Sequence, residues 1–119
     1  MDSIRIEALA SLLGFSKPIE ELEASISGLE WDAPEPLVTL SLDDVTSVLR
    51  RHFSGELSIE DVIRWSELIE GREDIEYSSA RRDVLRDAIY KLANPDLHGG
   101  ASEKNLIDVF ERLRALTVK

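Results

Sequence analysis

Two helices are predicted by residues 41–71, which read SLDDVTSVLRRHFSGELSIEDVIRWSELIEG. Ser41 stands immediately before Leu42, the first of several apolar residues at helical spacing, and is followed three positions later by Asp44. Ser58 and Asp61 repeat this arrangement. In such a pair the serine hydroxyl and the carboxylate each accept a backbone N–H at a helix N-terminus, which otherwise lacks partners. The stretch therefore predicts one helix beginning after Ser41 and a second beginning after Ser58.

The apolar residues of this stretch recur at the spacing of a helix. Each run places them on one face, as in an amphipathic helix packed against a core. The two faces consist of Leu42, Val45, Val48, Leu49 and Phe53, and of Ile59, Val62, Trp65 and Ile69. Gly55 and Gly71 follow the two runs, where glycine commonly ends a helix. We expect Trp65 to be buried in the core.

Segments on both sides of this stretch continue the helical pattern. Upstream, residues 19–29 carry a narrow apolar stripe, with Ser16 as the expected cap and Pro18 in the first turn. Downstream, apolar faces are predicted in residues 84–92 and 106–116. The residues expected to open these last two helices are Ser78 or Ser79 for the first and Ser102 for the second.

The remaining segments complete an all-α prediction. The first thirteen residues are apolar around most of the helical circle, which predicts a largely buried helix, with a strand through Ile4 and Ile6 as the alternative. Pro34 and Pro36 exclude regular structure from the connection before the third helix and hold its backbone extended. No other segment alternates long enough to demand a sheet. We therefore expect an all-α bundle of about six short helices in one domain, residues 1–119.

The composition is that of an acidic globular domain. The 119 residues are 43% hydrophobic and 32% charged, and 24 acidic side chains against 14 basic ones give a net charge of −10 at pH 7. A field of this sign repels phosphate backbones and anionic lipid surfaces, so neither nucleic acid nor a membrane is expected as a partner. Glu7 interrupts the apolar run that a signal peptide would need, so we expect a cytoplasmic protein.

Few residues of this chain could carry catalysis or hold a metal ion. There is no cysteine, and His52 and His98 are interpreted as a core-edge residue and a loop residue. The sequence contains no glycine-rich phosphate loop, no G-x-S-x-G and no H-E-x-x-H. We therefore expect no enzyme activity, no cofactor and no metal site, and we interpret the chain through its binding surfaces.

Acidic residues are concentrated in residues 18–49, which contain no lysine or arginine. They are Glu20, Glu21, Glu23, Glu30, Asp32, Glu35, Asp43 and Asp44. Those in first helical turns complement the helix dipole, whereas Glu30, Asp32 and Glu35 flank Trp31 on the proline-containing connection. An aromatic ring among carboxylates fits a hot spot for a basic partner, although Trp31 folding back onto the core is an equal alternative. We predict that the partner is contacted by Glu30, Trp31, Asp32 and Glu35, and also by Glu20 and Glu23.

A second candidate surface lies later in the chain. Glu73, Asp74 and Glu76 precede Tyr77, and Tyr90 falls on the polar side of its predicted helix. These five residues repeat the combination of carboxylates and aromatic rings. Around Tyr90, acidic and basic residues alternate along the helix, which favours a solvated, salt-bridged face.

Several short motifs together carry a family resemblance. The chain resembles small, acidic, helical bacterial immunity proteins of contact-dependent growth inhibition and related toxin systems. The motifs are Gly55-Glu56-Leu57-Ser58 with Glu60-Asp61-Val62 and Trp65, Ile69-Glu70-Gly71-Arg72 with Asp74-Ile75 and Tyr77, and Leu92-Ala93-Asn94-Pro95 with Leu97. The resemblance covers residues 40–116 and leaves the first forty residues outside it.

The resemblance implies a function in binding rather than catalysis. Immunity proteins of this kind bind a cognate toxin domain and block its active site or an essential surface, often with acidic groups facing a basic nuclease. We therefore expect a monomer or weak dimer that neutralises a basic toxin domain through an acidic surface. The alternative is a regulatory or adaptor domain that docks in a larger protein assembly.

Overall fold

The computed structural model describes residues 2–30, 33–95 and 103–117. Within these ranges the chain forms six α-helices in one domain, which confirms the predicted all-α class. The helices are α1 (Asp2–Gly14), α2 (Ile19–Ser27), α3 (Leu42–Phe53), α4 (Ile59–Ile69), α5 (Arg82–Ala93) and α6 (Glu103–Thr117). Two three-residue strands, β1 (Val38–Leu40) and β2 (Ile75–Tyr77), and a 3-10 turn, Ser79–Arg81, complete the described elements.

Helices α3 and α4 begin where their capping residues predict. The Ser41 hydroxyl accepts the Asp44 N–H at 3.1 Å, and the Asp44 carboxylate accepts the Ser41 N–H at 2.9 Å. Ser58 and Asp61 form the same two hydrogen bonds, both at 3.0 Å. Each pair satisfies two N–H groups that the helix itself cannot, so these two starts are set by local sequence alone.

The expected caps of α2 and α5 are wrong. Ser16 does not cap α2, since its hydroxyl hydrogen-bonds to the Ser11 carbonyl, and Pro18 occupies the N-cap position without a side-chain cap. Ser78 and Ser79 do not open α5 directly, because the Ser78 N–H donates to the Leu40 carbonyl and a 3-10 turn intervenes before Arg82. The predicted cap Ser102 lies outside the described residues.

Helix α1 ends with an unusual residue in the left-handed conformation. Phe15 has a φ of 46°, and the Phe15 and Ser16 N–H groups donate to the Leu12 and Ser11 carbonyls at 3.0 and 3.1 Å. This is a Schellman ending, in which glycine is the usual residue. The Phe15 ring is buried and stacks on Trp65 with 6.4 Å between ring centroids, so packing compensates the backbone strain.

The core collects most of the predicted apolar faces around Trp65, with the exception of Phe53, which is 39% exposed. Trp65 is fully buried, as predicted, and its indole N–H donates to the Leu12 carbonyl at 2.6 Å. Helix α1 is helical rather than extended, but only its second half is buried, because Ile4 remains 73% exposed and Ile6 38% exposed. The largest fully buried side chains, besides Trp65, are Phe15, Leu9, Leu12, Leu22, Ile26, Leu40, Leu49, Ile69, Leu85, Ile89 and Leu92.

A small parallel sheet is the element that the sequence analysis missed. Strands β1 and β2 pair in the register Val38↔Ile75, Thr39↔Glu76 and Leu40↔Tyr77. The connection between them contains α3 and α4, as a parallel crossover requires. The described residues 33–37 before β1 form neither helix nor strand, as the prolines predict, and the chain bends at Pro34 and Glu35. The segment joins the sheet through the Leu37 N–H, which donates to the Asp74 carbonyl at 2.8 Å.

The length and hydrophobicity of the helices show whether any of them could cross a membrane. Among the described helices, none combines the length and the apolar character that crossing a bilayer requires.

Candidate protein-binding groove

A groove of about 810 Å³ lies between β2 and α5. We call it the β2–α5 groove, and its volume falls in the range of known ligand pockets. All three residues of β2 line the groove, whereas no β1 residue does, and Pro36 from the segment before β1 lines it as well. The lining residues are Pro36, Glu70, Gly71, Arg72, Ile75, Glu76, Tyr77, Arg82, Asp83, Arg86, Asp87 and Tyr90.

The wall formed by β2 combines a tyrosine with carboxylates. Tyr77 is half-buried, and burial together with the nearby Glu70 charge raises the pKa of its phenol, against the opposing effect of Arg86. The phenol therefore stays neutral at physiological pH and can both donate and accept a hydrogen bond. Glu76 is exposed and accepts the Thr39 hydroxyl at 3.2 Å.

The wall formed by α5 carries charges of both signs. Arg82 and Arg86 are separated by one helical turn, as are Asp83 and Asp87, so the helix presents a basic and an acidic stripe side by side. Asp87 lies 3.2 Å from the Lys91 ammonium, which agrees with the predicted salt-bridged face. Tyr90 continues this wall and is 40% exposed.

A buried ion cluster adjoins the groove through Arg72, which belongs to both. Asp74 has no exposed surface and accepts hydrogen bonds from Arg72 at 2.9 and 3.0 Å and from Arg5 at 2.9 and 3.0 Å. Burial alone would raise the pKa of Asp74, but the hydrogen bonds and charges of the two arginines outweigh burial and lower it. Both arginines also donate to the Glu30 carbonyl. The cluster therefore joins α1, the connection before β1 and the residues leading into β2.

Asp74 consequently cannot serve as the direct partner contact that the sequence analysis proposed. Its two oxygens are occupied by Arg5 and Arg72, and no part of the residue reaches the surface. The pattern of carboxylates along residues 73–76 did not reveal this burial, because Arg5 is 69 residues away in the sequence. Asp74 is a structural residue, whereas its neighbours Glu73 and Glu76 are exposed.

The acidic field predicted for residues 18–49 is partly neutralised by a residue from outside that range. Arg64 of α4 forms a bidentate ion pair with Glu23 and approaches Glu20 at 3.5 Å. The hydrogen bond from Arg64 lowers the pKa of Glu23, against a smaller opposing effect of burial. Neither Glu20 nor Glu23 lines the groove, so both lie apart from the residues that it brings together.

The other predicted contacts are distributed unevenly around the groove. Glu76, Tyr77 and Tyr90 line it, although they come from two segments. Glu35 is exposed and adjoins the lining residue Pro36, and Glu73 is exposed between two residues of the buried cluster. Glu30 has an exposed side chain and contributes its backbone carbonyl to that cluster. Trp31 and Asp32 lie outside the described residues.

Four residues of the α5 wall were not predicted from the sequence to belong to a binding site. They are Arg82, Asp83, Arg86 and Asp87. The alternation of acidic and basic residues predicted a solvated face, and that description is correct. The missing information was that β2 lies opposite this face, since pairing of β2 with β1 depends on residues distant in the sequence.

Neither histidine contributes to a metal site in the described structure. The His52 ring lies between the Leu57 carbonyl and the Glu103 carboxylate and is nearly buried, which fits a core-edge residue. His98 lies outside the described residues. In residues 2–30, 33–95 and 103–117, no three His, Cys, Asp or Glu side chains converge in a way that could hold a metal ion.

The fold and the groove together define a small, mainly helical domain with a groove lined by charges of both signs. No protein-family model, curated protein sequence or solved structure matches this chain.

Proposed function

We propose that this chain is a cytoplasmic protein-binding domain that neutralises a basic protein toxin by covering it with the β2–α5 groove and its acidic surroundings. The observation that carries the proposal is the combination of Tyr77 and Tyr90 with the exposed carboxylates Glu76 and Asp83 in one groove. Tyrosine is enriched among interface residues that dominate affinity. Exposed carboxylates around such residues accelerate and orient the approach of a basic partner.

The charge of the whole molecule supports the same partner class. A net charge of −10 attracts a basic protein over distances beyond direct contact. The family resemblance gives this partner a concrete form, a toxin domain that the chain would inhibit. No catalytic step is part of the proposal.

The test is neutralisation of the toxin encoded by the gene next to the one for this chain, because immunity genes usually adjoin toxin genes. The toxin domain should arrest growth when expressed alone, and co-expression of this chain should restore growth. A catalytically inactivated toxin domain should form a one-to-one complex with the purified chain in calorimetry. Continued growth arrest together with no complex at micromolar concentrations would contradict the proposal.

The same experiment separates inhibition from an adaptor role. An adaptor would form a stable complex with its partner and leave the partner's activity intact. Complex formation without restored growth would therefore reject neutralisation and favour the regulatory or adaptor domain.

A further inference from the structure

Among the residues that the structure describes, β2 pairs along one of its two edges, the edge that faces β1. The Val38 N–H donates to the Asp74 carbonyl at 3.2 Å, and the Ser78 N–H donates to the Leu40 carbonyl at 2.9 Å. The Asp74 carbonyl and the Ser78 N–H therefore point toward β1. The backbone N–H and C=O of Glu76, which lies between them, point the same way. Successive residues of a strand direct their N–H and C=O groups to opposite edges. Ile75 and Tyr77 consequently direct theirs away from β1.

This outer edge of β2 borders the β2–α5 groove. Ile75, Glu76 and Tyr77 all line the groove, whereas no residue of β1 does. Within the part of the chain that the structure describes, β1 is the strand paired with β2, and the sheet has two strands. Tyr77 is the more exposed of the two outward-directed residues, since Ile75 is only 5% exposed. Of the two residues whose backbone groups face this edge, Tyr77 is therefore the one with more exposed surface.

We infer that an extended segment of the basic partner pairs with the outer edge of β2 and becomes a third strand inside the β2–α5 groove. This inference rests on the proposed function and specifies how the partner is held. Strand addition is an established mode of recognition, in which backbone hydrogen bonds supply affinity and alternating side chains supply specificity. A three-residue strand offers about 10 Å of such an edge.

The side chains of β2 specify the sequence pattern of the added segment. Ile75 and Tyr77 lie on the face that packs on the core, and Glu76 lies on the opposite, exposed face. A side chain of the partner opposite Glu76 would be a lysine or arginine, because opposite charges attract across neighbouring strands. Side chains on the other face would be apolar and would contact the rings of Tyr77 and Tyr90. The expected segment therefore alternates basic and apolar residues.

A short peptide of this pattern tests the inference on the complete chain. The probe is acetyl-Lys-Val-Lys-Val-Lys-Val-amide, added to the isotopically labelled protein and followed by the NMR shifts of its backbone amides. The largest shifts should occur at Ile75, Glu76 and Tyr77. The charge-reversed peptide, with glutamate in place of each lysine, should bind at least ten times more weakly.

N-methylation of the peptide tests the backbone pairing itself. One isomer carries methyl groups on the three lysine amides and the other on the three valine amides, so the two have the same composition and charge. Only one edge of the peptide can pair with β2, so one isomer should lose affinity at least tenfold while the other does not. Loss in the valine-methylated isomer indicates antiparallel pairing, and loss in the lysine-methylated isomer indicates parallel pairing. Equal affinity of the two isomers, or no binding of the unmethylated probe, would overturn the inference.

Two protein variants provide an independent test from the other side of the pair. Tyr77→Pro removes the outward N–H and the ring, whereas Tyr77→Val removes the ring and keeps the N–H. Because residue 77 does not donate to β1, proline should leave the sheet intact, which thermal unfolding of both variants checks. We expect the proline variant to bind the probe at least tenfold more weakly than the valine variant, and equal binding would reject pairing at Tyr77.

If the peptide tests fail while the toxin is still neutralised, strand addition is wrong and the proposed function stands. If the peptide pairs but the toxin is not bound, the proposed function fails instead.

Discussion

Trp65 of α4 contacts the end of α1 through both its ring and its indole nitrogen. Replacing it with alanine removes the stacking on Phe15 and the hydrogen bond to the Leu12 carbonyl. We expect Trp65→Ala to lower the free energy of unfolding by about 3–5 kcal/mol, measured by urea denaturation.

A milder substitution separates the two contributions of Trp65. Trp65→Phe retains an aromatic ring beside Phe15 but removes the indole N–H that donates to the Leu12 carbonyl. Because that carbonyl keeps the Phe15 N–H as a donor, we expect the lost hydrogen bond to cost about 0.5–1.5 kcal/mol. A loss below about 1 kcal/mol for the alanine variant would contradict the buried position of this side chain.

Asp74 makes the stability of the fold depend on pH in a defined direction. Its pKa in the folded protein lies below its ordinary value of 3.8, so the ionised form is favoured by folding. This contribution is complete above pH 3.8 and disappears as the pH falls through the lower, folded pKa. In Asp74→Asn the buried Arg72 and the partly buried Arg5 lose the charge of Asp74, and we expect a loss of about 3–5 kcal/mol at neutral pH.

Unfolding measured at a series of pH values tests the contribution of the Asp74 charge to stability. The difference in unfolding free energy between native protein and Asp74→Asn should shrink as the pH falls below 3.8, in urea denaturation between pH 6 and pH 2.5. Glu23→Gln is the matched control, because the Glu23–Arg64 pair is partly exposed and should contribute less than about 1 kcal/mol. Equal losses in the two variants at neutral pH would contradict the structural role of Asp74.

At the scale of single elements, helix α4 depends on its capping box. Ser58→Ala removes the acceptor of the Asp61 N–H and should cost about 1 kcal/mol of unfolding free energy. Ser47→Ala in α3 is the control, since Ser47 is exposed within a helix, and its effect should stay within about 0.5 kcal/mol. Thermal and urea unfolding measure both variants, and an effect of Ser58→Ala as small as that of the control would show that the cap does not stabilise α4.

The helices were predictable from the sequence because their causes are local. The capping boxes at Ser41 and Ser58 and the apolar faces around Trp65 depend on residues within a few positions of one another. The strands were not predictable in this way. Each contains three residues, too few for a period-two pattern, and Thr39 lies 37 residues from its partner Glu76.

The candidate site was predictable only in part for the same reason. Tyr77, Glu76 and Tyr90 were selected because exposed aromatic and acidic residues suit binding, and they line the groove. Counting charges along the chain did not reveal the burial of Asp74 or the pairing of Glu23. Arg5 lies 69 residues from Asp74 and Arg64 lies 41 residues from Glu23, so the tertiary structure brings these pairs together, whereas Arg72, the second arginine of Asp74, is only two residues away.

The charge of the whole molecule leads to a kinetic prediction for the toxin complex. We expect the association rate to fall at least tenfold between 50 and 500 mM NaCl, because salt shortens the range of electrostatic attraction. The groove variant replaces with lysine Glu76 and Asp83, which line the groove, and the exposed Glu73, which precedes β2 without lining the groove. This variant should also associate more slowly, measured by stopped-flow fluorescence or surface plasmon resonance.

A variant with the same net charge provides the control. Glu21, Glu60 and Glu67 are exposed and do not line the groove, and replacing them with lysine changes the total charge by the same amount. The groove variant should associate more slowly than this control. If the two slow equally, the attraction comes from the whole molecule and the groove is not the interface.

The parallel pairing of β1 with β2 also has a consequence for the order of folding. Helices α3 and α4 lie between the two strands and can form from local contacts, whereas the strands must close a long loop before they meet. The β2 wall of the groove is therefore expected to form after these helices and to open before them in the native protein. A partner strand would reinforce this late-forming part of the molecule, so hydrogen exchange of the β1 and β2 amides should slow far more on binding than exchange in α3 and α4.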